Sequence, residues 1–168
     1  MMKLISVNTG KPQKIRRGWK SINTGIFKQA VGGRVRVNRL NLKGDGQADL
    51  KVHGGEENAV YTYPHEYYAE WARELDRRDF TFGQFGEDFT VEGMLENQVC
   101  IGDVYRIGAA LCQMSQPRVP CYMVALRMGM EDFPRRFMEN RESPSASSRA
   151  ARRCSIARTW RLWTTWSS

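Results

Sequence analysis

The sequence predicts a single domain that is mainly β, with a compact barrel-like core and a few peripheral helices. Its 168 residues suit one domain, and a domain of this length buries roughly two-thirds of the surface of its unfolded chain. Short apolar runs recur at close intervals, separated by turns rich in glycine, asparagine and aspartate. Because only a few stretches have helical spacing, a barrel is favoured over a sandwich or a βαβ fold.

The periodicity of apolar residues predicts the individual elements. In residues 34–40, Val35 and Val37 alternate with arginines, which is typical of a half-buried strand. Strands are predicted at 3–7, 34–40, 59–63, 89–91, 99–101, 103–107 and 110–115, the last two joined as a hairpin around Gly108. Helices are predicted at 65–75, 121–127 and 131–140.

The positive charge is concentrated near the end of the chain. The net charge is +8, and residues 145–168 contain five arginines and no acid, which leaves +3 for the rest. We therefore divide the chain into a domain at 1–144 and a basic Ser/Arg/Trp tail at 145–168, which we expect to pack poorly on the core. A second basic cluster at 11–20 is interpreted as a solvated loop rather than a phosphate-binding surface, and no nucleic-acid partner is expected.

Neither export nor membrane insertion is expected. No run of about 18 apolar residues is present, and the N-terminus lacks the apolar segment of a secretory signal. We therefore expect a cytoplasmic protein in a reducing compartment. Its cysteines, at 100, 112, 121 and 154, include no pair with the spacing of a zinc knuckle or a redox dithiol, so free thiols are expected.

The segment QADLKVHGG, at residues 47–55, combines basic side chains with two glycines. Paired glycines let the backbone approach a ligand closely, and their N–H groups suit an anion. Lys51, His53, Gly54 and Gly55 are therefore candidate binding residues. The alternative for His53 is a hydrogen-bonded structural role.

A glycine-rich segment at 83–93 resembles a loop that leads into a strand. Glu87 within it is a candidate general base. A solvated loop carboxylate is the commoner role for such a residue.

The segment SQPRVPC, at residues 115–121, has the features of a reactive cysteine site. Pro117 and Pro120 restrict the backbone immediately before Cys121. If Cys121 begins the next helix, the helix dipole and Arg118 both favour its thiolate, which is the form that binds soft metals. The other cysteines have no comparable surroundings.

Five motifs, QADLKVHGG, AVYTYP, FGEDFTVEG, IGDVYRIG and SQPRVPC, occur in an order that resembles the MOSC family, the domain found at the C-terminus of molybdenum cofactor sulfurases. Within that family the chain is most similar to small stand-alone bacterial members of the YiiM-like group. The resemblance covers residues 1–144. It implies a β-barrel-like core with a few peripheral helices.

The resemblance also implies a function. Relatives bind a pyranopterin molybdenum cofactor through a cysteine that corresponds to Cys121, and they reduce N-hydroxylated compounds such as hydroxylaminopurines and amidoximes. Lys51, His53 and Arg118 would meet the phosphate of the cofactor. Cys121 and His53 are the candidate catalytic residues. Electrons would come from reductase proteins, since the sequence has no haem or dinucleotide motif; the oligomeric state is left open.

Two other functions stay open at this point. One is a sulfur carrier, in which a Cys121 persulfide delivers sulfur to metal centres. The other is a non-enzymatic basic binding module built on residues 145–168. After Pro144 a Ser/Ala/Arg stretch replaces the aromatic-rich strand of relatives. A divergent C-terminus or a shifted reading frame would produce this difference. We therefore expect an incomplete barrel, and a chain with an incomplete barrel is expected to be inactive.

Overall fold

The computed structural model describes residues 2–95 and 98–139, together with the backbone of 158–163. The described strands are β1 (Lys3–Thr9), β2 (Gln13–Arg17), β3 (Lys20–Thr24), β4 (Gln29–Ala30), β5 (Val60–Pro64), β6 (Phe89–Glu92), β7 (Val104–Ile107), β8 (Ala110–Pro117) and β9 (Arg158–Trp163). The helices are α1 (Leu50–His53), α2 (Glu66–Glu74), α3 (Tyr122–Met128) and α4 (Phe133–Glu139), with one 3-10 turn at Glu56–Asn58.

Seven strands form the main sheet, in the order β4-β1-β6-β5-β9-β8-β7. All neighbours pair antiparallel except β5 and β6, which are parallel. The prediction of a mainly β fold with a few helices is confirmed. Within the described part of the chain the sheet ends at β4 and β7 without closing, so a barrel stays a prediction.

Strand β5 lies near the middle of this sheet and is buried along its whole length, because apolar residues cover both of its faces. Val60 joins one cluster, and Tyr61 and Tyr63 point into the other, as expected from the alternation of side chains along a strand. The first cluster contains Leu42, Ala59, Val60, Phe89, Val91, Met94, Val99, Cys112 and Met114. The second contains Tyr61, Tyr63, Tyr68, Trp71, Phe85, Val124, Met128, Phe133 and Phe137.

Part of the predicted tail belongs to the sheet. Strand β9 pairs with β5 on one side and with β8 on the other. The expectation of a poorly packed tail is therefore wrong for Arg158–Trp163, whose backbone hydrogen bonds join two halves of the sheet. The remaining tail residues, 145–157 and 164–168, lie outside the described residues, and the division of the chain at Pro144 stays a prediction.

Most of the predicted elements are present, and two predicted strands are not. Residues 34–40 form only an isolated bridge between Val37 and Leu42, and residues 99–101 are irregular, with a turn that begins at 101. The alternating apolar residues at 34–40 have no neighbouring strand to pair with, and a strand without partners is not stable. Conversely, the basic cluster at 11–20, interpreted as a loop, forms most of the β2–β3 hairpin, which pairs only with itself in the described structure.

None of the helices in the described residues has the length and apolar character needed to cross a bilayer.

Candidate functional site

A cleft of about 700 Å³, including the solvent at its mouth, opens between the loops that flank α1, the base of the β2–β3 hairpin and the start of α3. It contains both basic and acidic side chains. Its lining residues are Asn23, Thr24, Gly25, Ile26, Lys28, Gly46, Gln47, Ala48, Asp49, His53, Asn58, Tyr61, Gly86, Asp88, Arg118, Cys121 and Met123. Three of the residues singled out from the sequence, His53, Arg118 and Cys121, therefore meet in one cleft.

Cys121 is the residue immediately before α3 and is partly exposed to the cleft. Its backbone is extended, and its side chain makes no capping hydrogen bond, so the sulfur is not committed to the helix. Cys112 differs in being fully buried in the core, and that burial raises the pKa of its thiol to about 12. Cys100 is exposed outside the cleft lining, and Cys154 lies outside the described residues.

Arg118 brings a positive charge into the cleft from the loop between β8 and α3. Its guanidinium carbon lies 5.4 Å from the centre of the Tyr61 ring, an arrangement that holds a cation against an aromatic face. The charge of Arg118 also affects the pKa of His53. Burial lowers the pKa of His53, the charge of Arg118 lowers it further, and Asp49 opposes both effects. Near neutral pH, His53 is therefore mainly neutral and can either donate or accept a proton.

The position of His53 depends on the short helix α1. Asp49 caps this helix, since its carboxylate accepts hydrogen bonds from the backbone N–H groups of Lys51 (3.0 Å) and Val52 (3.3 Å). His53 is the last residue of α1 and points into the cleft. One turn of helix therefore carries the histidine into the cleft that Cys121 also lines.

Three of the predicted binding residues, Lys51, Gly54 and Gly55, are not among the residues that line the cleft. Lys51 is exposed on α1. Gly54 ends α1, where a Cβ atom would lie 2.4 Å from the carbonyl oxygen of Leu50. The tight turn after the helix accounts for this glycine. Contact between any of the three and a cofactor stays a prediction.

A buried charged cluster borders the cleft and was not identified from the sequence. The ammonium group of Lys28 donates to Asp45 (2.8 Å) and to Asp88, and all three side chains are at least nine-tenths buried. Both carboxylates also accept backbone hydrogen bonds, Asp45 from Gly10 (2.9 Å) and Asp88 from Tyr61 (2.7 Å). The cluster therefore ties together the N-terminal strand region, the loop before α1 and β5.

The cluster has two carboxylates for one ammonium group. Burial raises the pKa of Asp88 to about 7, while the charge of Lys28 acts in the opposite direction. Burial lowers the pKa of Lys28, but Asp88 and Asp45 more than offset this and leave it raised. Lys28 therefore stays charged, and Asp88, which lines the cleft, is more easily protonated than an ordinary aspartate.

Glu87, the candidate base, is instead a buried structural residue. Its carboxylate accepts hydrogen bonds from the hydroxyls of Tyr68 and Thr90 and from the backbone N–H groups of Gly83 and Phe85. These bonds hold the loop before β6. The next residue, Asp88, is the one that reaches the cleft, so the segment FGEDF did contain a site residue one position later.

Comparison with known proteins identifies the family. A family model described as the MOSC domain matches residues 49–159, well over half of the chain. The chain belongs to the MOSC domain family. The matched residues include α1, β5, β6 and the Cys121 segment, and therefore nine of the seventeen residues that line the cleft.

Three proteins are similar in sequence to this MOSC chain over about three-quarters of its length. YflK of Bacillus subtilis (strain 168) is 45% identical over 130 residues, which are 77% of this chain and 58% of YflK. YiiM of Escherichia coli (strain K12) is 40% identical over 131 residues, 77% of this chain and 57% of YiiM. A protein named reductase from Gibberella moniliformis (strain M3125 / FGSC 7600) is 33% identical over 127 residues, 74% of this chain and 22% of that protein. This chain thus spans less than three-fifths of these relatives.

Solved structures give the same assignment. Crystal structures of YiiM from Geobacillus stearothermophilus and from Escherichia coli match with TM-scores of 0.70 and 0.66 and with 29% and 27% sequence identity. Each match covers 96% of this chain, and 68% and 62% of the respective YiiM chain. This MOSC chain is therefore YiiM-like in fold as well as in sequence.

The cleft of this MOSC domain also contains residues that the sequence motifs did not indicate. None of Asn23, Thr24, Gly25 and Lys28 was predicted as a site residue. These residues come from the first 30 positions, which the pairing of β1 with β6 and the contact of Lys28 with Asp88 bring to the cleft. Within the described residues, no cluster of three or more His, Cys, Asp or Glu side chains is suited to hold a metal ion.

Proposed function

We propose that the cleft binds a molybdenum cofactor, that Cys121 is the protein ligand of the metal, and that the bound cofactor reduces small N-hydroxylated compounds. The observation that carries this proposal is the meeting of Cys121, Arg118 and His53 in one cleft. At the level of the family, the MOSC domain is associated with the molybdenum cofactor. The relative named reductase supports an oxidoreductase.

The residues in the cleft fit such a cofactor. The cleft brings a few polar and charged side chains together with apolar ones, as is usual for ligand sites. A single cysteine suits a soft metal whose other ligands belong to an organic cofactor. Arg118 and neutral His53 provide hydrogen-bond donors for an anionic group, which a phosphate-bearing cofactor would present.

The cofactor, when bound, supplies the two-electron chemistry, and the chain supplies positions, charges and protons. Removal of oxygen from an N–OH group consumes two electrons and two protons and releases water. Asp88 borders the cleft with a pKa of about 7, which suits a proton donor near neutral pH. His53 is the second candidate for proton transfer. Electrons would come from partner reductase proteins.

Substitution of the cysteine tests the proposal. We expect Cys121→Ser to lose the metal, because a serine hydroxyl is a poor ligand for a soft metal at neutral pH. The protein is purified from cells supplied with molybdate, and its metal content is measured together with reduction of an amidoxime. Cys100→Ser is the matched control, since Cys100 is exposed outside the cleft lining. Cys112→Ser is a poorer control, because it places a hydroxyl in the core.

Two results would count against the proposal. Equal molybdenum content in the wild type, Cys121→Ser and Cys100→Ser would exclude Cys121 as the ligand. A wild type that carries sulfane sulfur on Cys121 and no molybdenum would favour the sulfur carrier instead.

A further inference from the structure

The β2–β3 hairpin stands beside the cleft as a separate two-stranded sheet. The end of β3 contributes Asn23 and Thr24 to the cleft lining. On β2, Arg17 hydrogen-bonds the hydroxyl of Tyr122 (3.2 Å) and forms a salt bridge with Glu131 (2.6 Å). Because Tyr122 is the neighbour of Cys121, these contacts hold the hairpin at the mouth of the cleft.

The hairpin is strongly basic. The chain contains no acidic residue before Asp45, whereas residues 11–20 alone contain five basic ones. The register pairs Ile15 with Ile22 on one face, where both are half-buried, so Lys14 and Arg16 project from the opposite face. Among the described residues, neither of these two side chains forms a salt bridge. Their charge is therefore available to a partner.

An exposed tryptophan lies at the tip of the hairpin. Trp19 follows Gly18 in the two-residue turn and is 98% exposed. Val119, two residues before Cys121, and Tyr122, the residue after it, are 65% and 49% exposed. Tryptophan and arginine are the residues most enriched at the energetic centres of protein interfaces. The tip and the mouth of the cleft together thus present apolar groups surrounded by positive charge.

We propose that the β2–β3 hairpin is the docking surface for a small acidic electron-carrier protein, which delivers electrons to the cleft. This proposal rests on the function proposed above, because reduction in the cleft requires electrons from outside the chain. A partner with a negative surface complements the charges of Lys14 and Arg16, which accelerate association by electrostatic steering. Proteins that bind single-stranded nucleic acid stack several bases on a series of aromatic rings, whereas this hairpin has one tryptophan.

Direct binding tests the docking surface without requiring any cofactor in the cleft. The full chain is titrated with plant-type [2Fe–2S] ferredoxin and with flavodoxin, two small acidic carriers, by calorimetry at low and high salt. We expect salt-sensitive binding of at least one carrier to the wild type. Lys14→Glu/Arg16→Glu should weaken it about tenfold or more, since reversed charges repel the partner. Trp19→Ala should weaken it without changing the salt dependence.

The matched control is Arg78→Glu/Arg106→Glu, which makes the same change in charge at two exposed arginines outside the hairpin and the cleft lining. It should bind the carrier as the wild type does. In protein that contains the cofactor, reduction of an amidoxime with electrons from the dye methyl viologen should be equal in Lys14→Glu/Arg16→Glu and the wild type. Reduction with electrons from the carrier should be slower in the variant.

Three outcomes would overturn the docking proposal: binding of neither carrier, equal weakening by the control pair, or tighter binding of a single-stranded oligonucleotide than of a carrier at the same salt. Failure of the proposed function looks different. In that case dye-driven reduction is absent from the wild type, while binding of the carrier to the hairpin persists.

Discussion

At the scale of single residues, the charged cluster of Lys28, Asp45 and Asp88 makes stability depend on pH. Burial raises the pKa of Asp88 to about 7, above the value of about 3.9 in an unfolded chain. Between these two values the folded state binds more protons than the unfolded state. The contribution of Asp88 to stability is therefore complete below about pH 4 and is lost as the pH rises through about 7.

Asp88→Asn removes this titration. We expect the free energy of unfolding of the wild type to fall, relative to that of Asp88→Asn, as the pH is raised from 4.5 to 7.5. Urea denaturation at several pH values measures the difference. Asp76→Asn, at an exposed carboxyl, is the matched control and should follow the wild type. Identical pH slopes for the wild type and Asp88→Asn would show that Asp88 remains ionised throughout this range.

At the scale of one element, helix α1 determines where His53 lies. Its Asp49 cap has two separable effects, since the carboxylate binds the backbone of α1 and its charge raises the pKa of His53. Asp49→Asn should keep most of the cap and lose the charge, whereas Asp49→Ala should lose both, at a cost of about 1 kcal/mol. NMR titration should show a lower pKa of His53 in both variants, and faster exchange of the Lys51 and Val52 amides only in Asp49→Ala.

The comparison contains its own control, because the two variants differ only in the ability of residue 49 to accept the capping hydrogen bonds. If amide exchange were unchanged in Asp49→Ala, the cap would not hold α1. His53 would then owe its position to packing.

At the scale of the whole molecule, β9 joins the two parts of the main sheet. It lies between β5, which continues through β6 and β1 to β4, and β8, which pairs with β7. A chain that ends before Arg158 would leave β5 and β8 with unpaired edges, which favour aggregation. We expect this chain to lose cooperative thermal unfolding and to aggregate. A chain that ends after Trp163 keeps every described strand and should unfold like the full chain in calorimetry.

A stable, monomeric chain ending before Arg158 would contradict this role for β9. It would also support the division at Pro144, predicted from the sequence, into a domain and a tail. The two truncations differ by β9 alone among the described elements, so their comparison isolates this strand.

Patterns within short segments predicted a good part of the fold and of the candidate site. The strand at Val60–Pro64, the helix at Glu66–Glu74 and the β7–β8 hairpin follow from local periodicity, and the prolines before Cys121 indicated a positioned thiol. Residues 34–40 show the limit, since their alternation was clear and they found no partner strand.

The sequence by itself determined the family, the mainly β class and three of the residues in the cleft, Cys121, Arg118 and His53. Each of these follows from local patterns, either the short motifs and their order or the spacing of apolar runs. The presence of Asn23, Lys28 and Asp88 in the cleft lining was decided only by the tertiary structure. These residues are about sixty positions apart and are brought together when β1 pairs with β6. The strand β9 was also revealed only by the tertiary structure, because its composition is typical of a tail. It is a strand because its backbone pairs with the backbone of β5 on one side and of β8 on the other.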